Sequence, residues 1–218
     1  GIEFNEALLE DDFDVLCHEL LKVDTPTFMY RDFQSRNVMV VNNEPYFIDY
    51  QGGRKGPFYY DLVSFVFQAK ANLPEAIRTS LINTYKEALQ PYYKVDDATF
   101  KEQLSLFALF RTLQVLGAYG FRGLIEQKAH FIASIPFAIK QLCQLITEND
   151  YSQYPYLVSV LKALVEKYDT SAIEPCVDAT QLCVDVYSFS YKKGIPTDYS
   201  GNGGGFVFDC RAVNNPGK

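Results

Sequence analysis

Tryptophan is absent from the 218 residues, and histidine and methionine occur only twice each. The five cysteines, Cys17, Cys143, Cys176, Cys183 and Cys210, form an odd set without C-x-x-C spacing. With His18 and His130 as the only imidazoles, that pattern argues against a zinc site and for reduced thiols in a cytoplasmic protein. Positive charge is also scarce: 20 Lys and Arg face 27 Asp and Glu, a net charge of −7. This gives no broad electrostatic reason to hold a phosphate backbone, so nucleic acid is not expected as a partner. No signal peptide is evident, and no apolar run approaches the roughly twenty residues that cross a bilayer, so no membrane partner is expected. What is present is 48% hydrophobic residues with 16 Tyr and 17 Phe. That is enough to bury a globular core.

The periodicity predicts an amphipathic helix over Phe4 to Leu21, with Phe4, Leu8, Leu9, Phe13, Leu16 and Leu20 on one face. Short β-like runs follow at Thr27 to Tyr30, Val38 to Val41 and Pro45 to Tyr50; Asn42-Asn43 supplies turn chemistry for a hairpin. Helical spacing returns from Tyr59, again after Pro74, and from Asp96-Asp97 through Leu116, where Gly117 to Gly123 is expected to interrupt it. A helix over about Leu124 to Ile146 should be kinked or divided at Pro136, and a last one spans Tyr156 to Tyr168. Residues 1–168 thus read as one mainly α unit of α+β class with a small hairpin. Residues 169–182 read as a linker, and 183–218 as two strands of an incomplete second domain.

Within this frame, "MYRDFQSRNVMVVNNEPYFIDYQGG" from Met29 to Gly53 places an Asp-x-x-x-x-Asn loop before a hairpin, with a second aspartate in an apolar strand after it. Phosphoryl transfer needs a carboxylate near the acceptor hydroxyl and oxygen ligands for magnesium. Asp32 suits the acceptor-side base, Asn37 a neutral oxygen ligand and Asp49 a charged ligand ending its strand. Arg36 is placed to meet a phosphate or pair with an acid, and Asp61 to hold the loop through backbone hydrogen bonds or to cap a helix. Gln34, Gln51, Arg54 and Lys55 are candidate substrate or phosphate contacts, and Gly52 and Gly53 permit close backbone approach or a positive φ. His18 and His130 read as partly buried packing residues. Tyr59, Tyr60, Tyr119 and Phe121 are rings that could stack on a sugar.

The run Arg31 to Asn37, then Ile48 to Gly53, then Gly56-Pro57-x-x-Tyr60-Asp61-Leu62, resembles the protein-kinase-like small-molecule phosphotransferases, which include aminoglycoside phosphotransferases and choline kinases. Among their branches it is most similar to kinases of N-acetylmuramate and N-acetylglucosamine. The resemblance implies a C-terminal catalytic lobe over about Phe4 to Tyr168, with ATP and Mg²⁺ as cofactors and an amino sugar as acceptor. It also implies that the N-terminal nucleotide-binding lobe is missing, so the chain is expected to be a fragment that binds ATP weakly and turns over negligibly. Robust kinase activity from the 218 residues would overturn that expectation. Tyr30 stands where the family usually has histidine, a departure that keeps a competing reading open, a degenerate lobe that senses an amino-sugar phosphate.

In the tail, "SFSYKKGIP" and "FVFDCRAVNNP" resemble the start of the C-terminal domain of the RNase adapter RapZ, a family associated with sensing glucosamine-6-phosphate. Lys192, Lys193, Asp209 and Arg211 would then be sugar-phosphate contacts or a solvated edge strand. Gly203 to Gly205 lack a following helix and do not read as a nucleotide loop.

Overall fold

The computed structural model describes residues 2–23 and 26–168. The predicted linker and the RapZ-like tail strands lie outside the described residues.

The first helix, α1 (Glu6–Leu21), starts where Asn5 accepts the Leu8 N–H through its side chain. Strand β1 (Pro26–Met29) follows, then β2 (Val38–Val41) and β3 (Glu44–Phe47), and β4 (Arg54–Pro57). Each sheet has two strands: β1 pairs antiparallel with β4, and β2 with β3. Asn42 and Asn43, with φ of 51° and 67°, close the β2–β3 hairpin, the turn that right-twisted strands prefer. Helices then dominate: α2 (Phe58–Val66), α3 (Glu75–Leu89), α4 (Asp97–Gly120), α5 (Ala129–Ile132), α6 (Ile135–Glu148) and α7 (Pro155–Lys167). The class is therefore α+β and mainly α, as the periodicity predicts.

The core lies among α2, α4, α6 and α7, where Tyr59, Val63, Phe107, Leu109, Leu142, Tyr154 and Leu157 are almost fully enclosed. α4 is the central element because its apolar stripe is wide enough to meet α2 on one side and α6 on the other. A buried polar bond, Gln141 Nε2 to Thr112 Oγ1 at 3.1 Å, fixes the α4–α6 register. At the other end, Asp12 of α1 accepts the Leu157 N–H at 2.7 Å and so caps the first turn of α7 from outside.

Several expectations are corrected. Gly117 does not interrupt α4, which runs on to Gly120; the change comes at Phe121–Ile125 as a π-turn. Its reason is local, since a Cβ on Gly123 would lie 3.1 Å from the Ile132 backbone nitrogen, so the chain widens where α5 crosses it. The helix expected from Leu124 is divided at Pro136 as the sequence predicts, although it starts later: α5 ends at Ile132, and Pro136 sits in the first turn of α6, where its missing N–H costs nothing. Strand β3 ends at Phe47, two residues before Asp49. His18 and His130 are both exposed, the latter lying 4.2 Å from the Phe131 ring centroid. Half of the predicted α1 face, Phe4, Leu8 and Phe13, is exposed, because α1 packs mainly on α7. Two helical stretches, Asp97–Ile125 and Ala129–Glu148, are long and apolar enough to cross a bilayer by length and composition alone, contrary to the sequence expectation. Their apolarity has a packing use here, as Phe107, Leu109 and Leu142 are buried core residues.

Tyr59 is fully enclosed and stacks on Phe107 at 5.6 Å, and its hydroxyl has no hydrogen-bond partner. An unpaired buried hydroxyl keeps its desolvation cost, so Tyr59→Phe is expected to raise stability by roughly 1 kcal/mol in urea denaturation. Burial pushes the Tyr59 and Tyr85 phenols up to about 12. Both hold their protons in the folded chain beyond the ordinary phenol value, so stability is full below about pH 10 and falls as pH rises towards 12. Tyr59→Phe should shallow that alkaline limb.

Candidate functional site

The Asp32 loop is built by the two sheets together. Strand β1 delivers the chain to Tyr30 and β4 returns beside it in register, Met29 opposite Arg54 and Phe28 opposite Lys55. Between them the β2–β3 hairpin extends by one more contact, the Ile48 N–H donating to the Asn37 carbonyl at 3.1 Å. The antiparallel ladder thereby sets the residues before β2 next to those after β3. Asn37 is buried and donates its Nδ2 to the Asp32 carbonyl at 2.8 Å, which leaves Oδ1 as its donor atom for a cation. Hydrogen bonds therefore join the segments holding Asp32, Asn37 and Asp49.

Besides Asn42 and Asn43 in the hairpin turn, two residues of this region occupy left-handed backbone without being glycine: Arg31 at φ 77° and Asp49 at φ 66°. Such conformations persist only where surrounding contacts over-determine them. At Arg31 the contact is Asp61 of α2, whose carboxylate accepts the Tyr30 N–H at 2.5 Å and the Arg31 N–H at 2.9 Å. Arg31 also donates through Nη1 to the Gly52 carbonyl at 3.2 Å. At Asp49 the contact is Gln51, whose Nε2 donates to Oδ1 at 2.7 Å. Gly52 and Gly53 do not take up positive φ; the left-handed turns fall on Arg31 and Asp49 instead. Close approach does apply at Gly53, where a Cβ would lie 2.5 Å from the Phe28 ring.

Tyr30 joins the two halves. It is buried, its hydroxyl donates to the Ile48 carbonyl, and its ring meets Phe33 at 5.5 Å and Tyr50 at 6.5 Å. Burial first, then the charges of Asp49, Asp32 and Asp61, push its phenol above the ordinary value. The charges of three carboxylates therefore act on one phenol. Sequence motif reasoning treats Tyr30 as a departure; the structure makes it the tie between the Asp32 loop and the Asp49 turn. Beneath the loop, Phe33 stacks on Phe65 of α2 at 5.0 Å. Ser35 donates to Gln68 Oε1 through both its N–H and its hydroxyl, at 3.1 and 2.9 Å. Burial also raises the Asp61 carboxyl, against the opposing pull of its two N–H partners and of Arg111.

The other predicted residues are placed as follows. The Gln34 carbonyl accepts the Asn37 N–H at 2.9 Å, so its backbone shapes the loop. Gln51 is engaged by Asp49, as above. Arg54 and Lys55 are exposed on β4, and Arg36 is exposed beside Asn37. The three ion pairs among the described residues are Lys22–Glu19, Lys86–Asp97 and Lys128–Glu126, so Arg36 does not make the acid pairing considered for it there. Among the described residues no three of His, Cys, Asp and Glu converge on one point. A cation here would rely on the Asp49 carboxylate and the Asn37 carboxamide and complete its shell with oxygens from phosphate or water, a hard-oxygen set that suits Mg²⁺. The fit is chemical: every donor is oxygen. One concavity, lined by Gln68, Arg78, Lys140 and Gln141, touches the loop only through the Ser35 partner Gln68, and another is lined by Glu19, Glu102 and Tyr151.

No curated protein matches the chain. The segment from residue 4 to residue 98, somewhat under half of the chain, contains Asp32, Asn37, Asp49 and Asp61 and is similar to the phosphotransferase enzyme family (APH), whose model it matches.

Proposed function

We propose that the Asp32 loop and the Asp49 turn form the acceptor and metal half of an ATP- and Mg²⁺-dependent phosphotransferase site for a small hydroxyl substrate. Asp32 accepts the hydroxyl proton as the nucleophile develops. Asp49 and the Asn37 carboxamide hold Mg²⁺, which supplies charge neutralisation at the phosphates. Asp61 and Tyr30 orient these groups. The observation that carries the reading is the hydrogen-bonded joining of the three segments, Asn37 Nδ2 to the Asp32 carbonyl and Ile48 N–H to the Asn37 carbonyl. The amino-sugar acceptor rests on the sequence similarity to N-acetylmuramate and N-acetylglucosamine kinases. A cytoplasmic setting is supported by the free thiols of Cys17 and Cys143.

The test is calorimetric titration of the chain with ADP and Mg²⁺. Binding should require the metal, and Asp49→Asn should weaken it at least tenfold, because the cation's carboxylate ligand is removed. Asp32→Asn should leave nucleotide affinity within about twofold while lowering any sugar phosphorylation by roughly 10²–10⁴. Metal-independent nucleotide binding, or affinity indifferent to Asp49, would defeat the reading.

A further inference from the structure

Along α4 from Leu104 to Gly120 there is a single charged residue, Arg111. It is half-buried, and its guanidinium carbon lies 5.5 Å from the centroid of the Tyr60 ring. Its Nη1 makes two long contacts, to the Tyr60 hydroxyl and to Gln114 Oε1, both 3.4 Å, and the Tyr60 hydroxyl donates to the same Gln114 oxygen at 3.2 Å. Both partners are neutral. No ion pair among the described residues includes Arg111 or Arg36, although the chain carries 27 acids against 20 bases. The acid next along the chain from Tyr60 is Asp61, and its two oxygens are already taken by the Tyr30 and Arg31 N–H groups.

Arg111 acts on the Asp61 carboxyl through its charge but makes no ion pair with it, and partial burial of a guanidinium costs desolvation that neutral contacts at 3.4 Å repay poorly. The planar fork, held against an aromatic face, is the arrangement that receives a carboxylate or phosphate bidentately. We propose that Arg111, seated on Tyr60 and Gln114 and joined by Arg36 from the Asp32 loop, is an anion-binding subsite that recognises a carboxylate or phosphate group on the small-molecule acceptor. Only the word acceptor depends on the phosphotransferase reading; the anion site stands on the arginines themselves. Both charges act on one phenol: burial raises that of Tyr119, and the charges of Arg111 and Arg36 oppose the rise.

The probes are three sugars titrated into the full chain by calorimetry: N-acetylglucosamine as the neutral arm, glucuronate as the carboxylate arm and glucosamine 6-phosphate as the phosphate arm. At least one acidic sugar is expected to bind tenfold or more tightly than the neutral one, and whichever does names the anion. Arg111→Gln and Arg36→Gln should each remove most of that preference while leaving N-acetylglucosamine unchanged. Arg111→Lys should restore it only in part, since an ammonium lacks the fork. Equal affinity for all three sugars would overturn the inference, as would full retention of the preference in both glutamine variants. Loss of Mg²⁺·ADP binding in the same variants, with sugar affinities untouched, would reassign the arginines to the nucleotide and equally overturn it. Melting curves separate a folding failure of Arg111→Gln from a binding loss, and exposed Arg36→Gln gives the answer if the helix variant does not fold. Failure of Asp49→Asn to affect Mg²⁺·ADP would sink the phosphotransferase reading alone, because the acid preference is measured without nucleotide.

Discussion

Asp61→Ala is expected to lower the unfolding free energy by about 1–3 kcal/mol, because the part-buried Tyr30 N–H and the exposed Arg31 N–H lose their shared acceptor. The larger consequence is conformational. Arg31 sits at φ 77°, a costly conformation for a residue with a Cβ, and the Asp61 carboxylate is what holds it there. Without that grip the turn should relax, carrying Asp32 away from Asn37 and breaking the 2.8 Å bond between them. Mg²⁺·ADP affinity should then fall together with stability, and calorimetry beside urea denaturation reads both. Asp61→Asn is the informative partner: it keeps an oxygen for one N–H but offers the other only an amide, so its loss should fall between those of wild type and alanine. Undiminished stability in Asp61→Ala would show that the loop is held by something else.

Tyr30→Ala should cost roughly 3–5 kcal/mol, the usual penalty for emptying a buried aromatic site. Tyr30 touches Phe33 and Tyr50 and ties to the Ile48 carbonyl, so the cavity would open between the Asp32 loop and the Asp49 turn. Tyr30→Phe separates the two contributions. It keeps the ring and removes only the hydroxyl, so about 0.5–1.5 kcal/mol of stability should go. Metal affinity should nevertheless drop several-fold, because the Asp49 turn loses its anchor. Spectrophotometric titration gives an independent check: the phenol whose ionisation Asp49, Asp32 and Asp61 delay should vanish from the high-pH tail of the curve in Tyr30→Phe. A variant with normal Mg²⁺ affinity and lowered stability would make Tyr30 a packing residue only.

Much of this was legible in the sequence where local chemistry is decisive. Asn42-Asn43 between two apolar runs can hardly be other than a tight hairpin, and Asp96 announced α4 because its side chain caps the Thr99 N–H. The spacing of Asp32, Asn37 and Asp49 brought forward three segments that hydrogen bonds join. What sequence patterns missed depends on contacts distant along the chain. Gly52 and Gly53 looked like the residues that would take positive φ, yet the left-handed turns fall on Arg31 and Asp49, a choice made by Asp61 and Gln51. Arg111 carried a signal that went unused: one charge in an otherwise apolar helical stretch is costly and invites the question of what offsets it. Gly123 has its effect through Ile132, nine residues away, and no periodicity announces such a crossing.

Neither two-stranded sheet has the extent to persist by itself, and each leans on the helices for its shape. The pairing of Pro26 with Pro57 spans a long stretch of chain, whereas the helices close their bonds locally. Assembly would then run from bundle to loop, with the chemistry-bearing segment the latest to consolidate and, on warming, the earliest to loosen. A ligand that bridges the Asp32 and Asp49 segments would tighten the weakest part of the molecule, and ligation would be felt there as ordering.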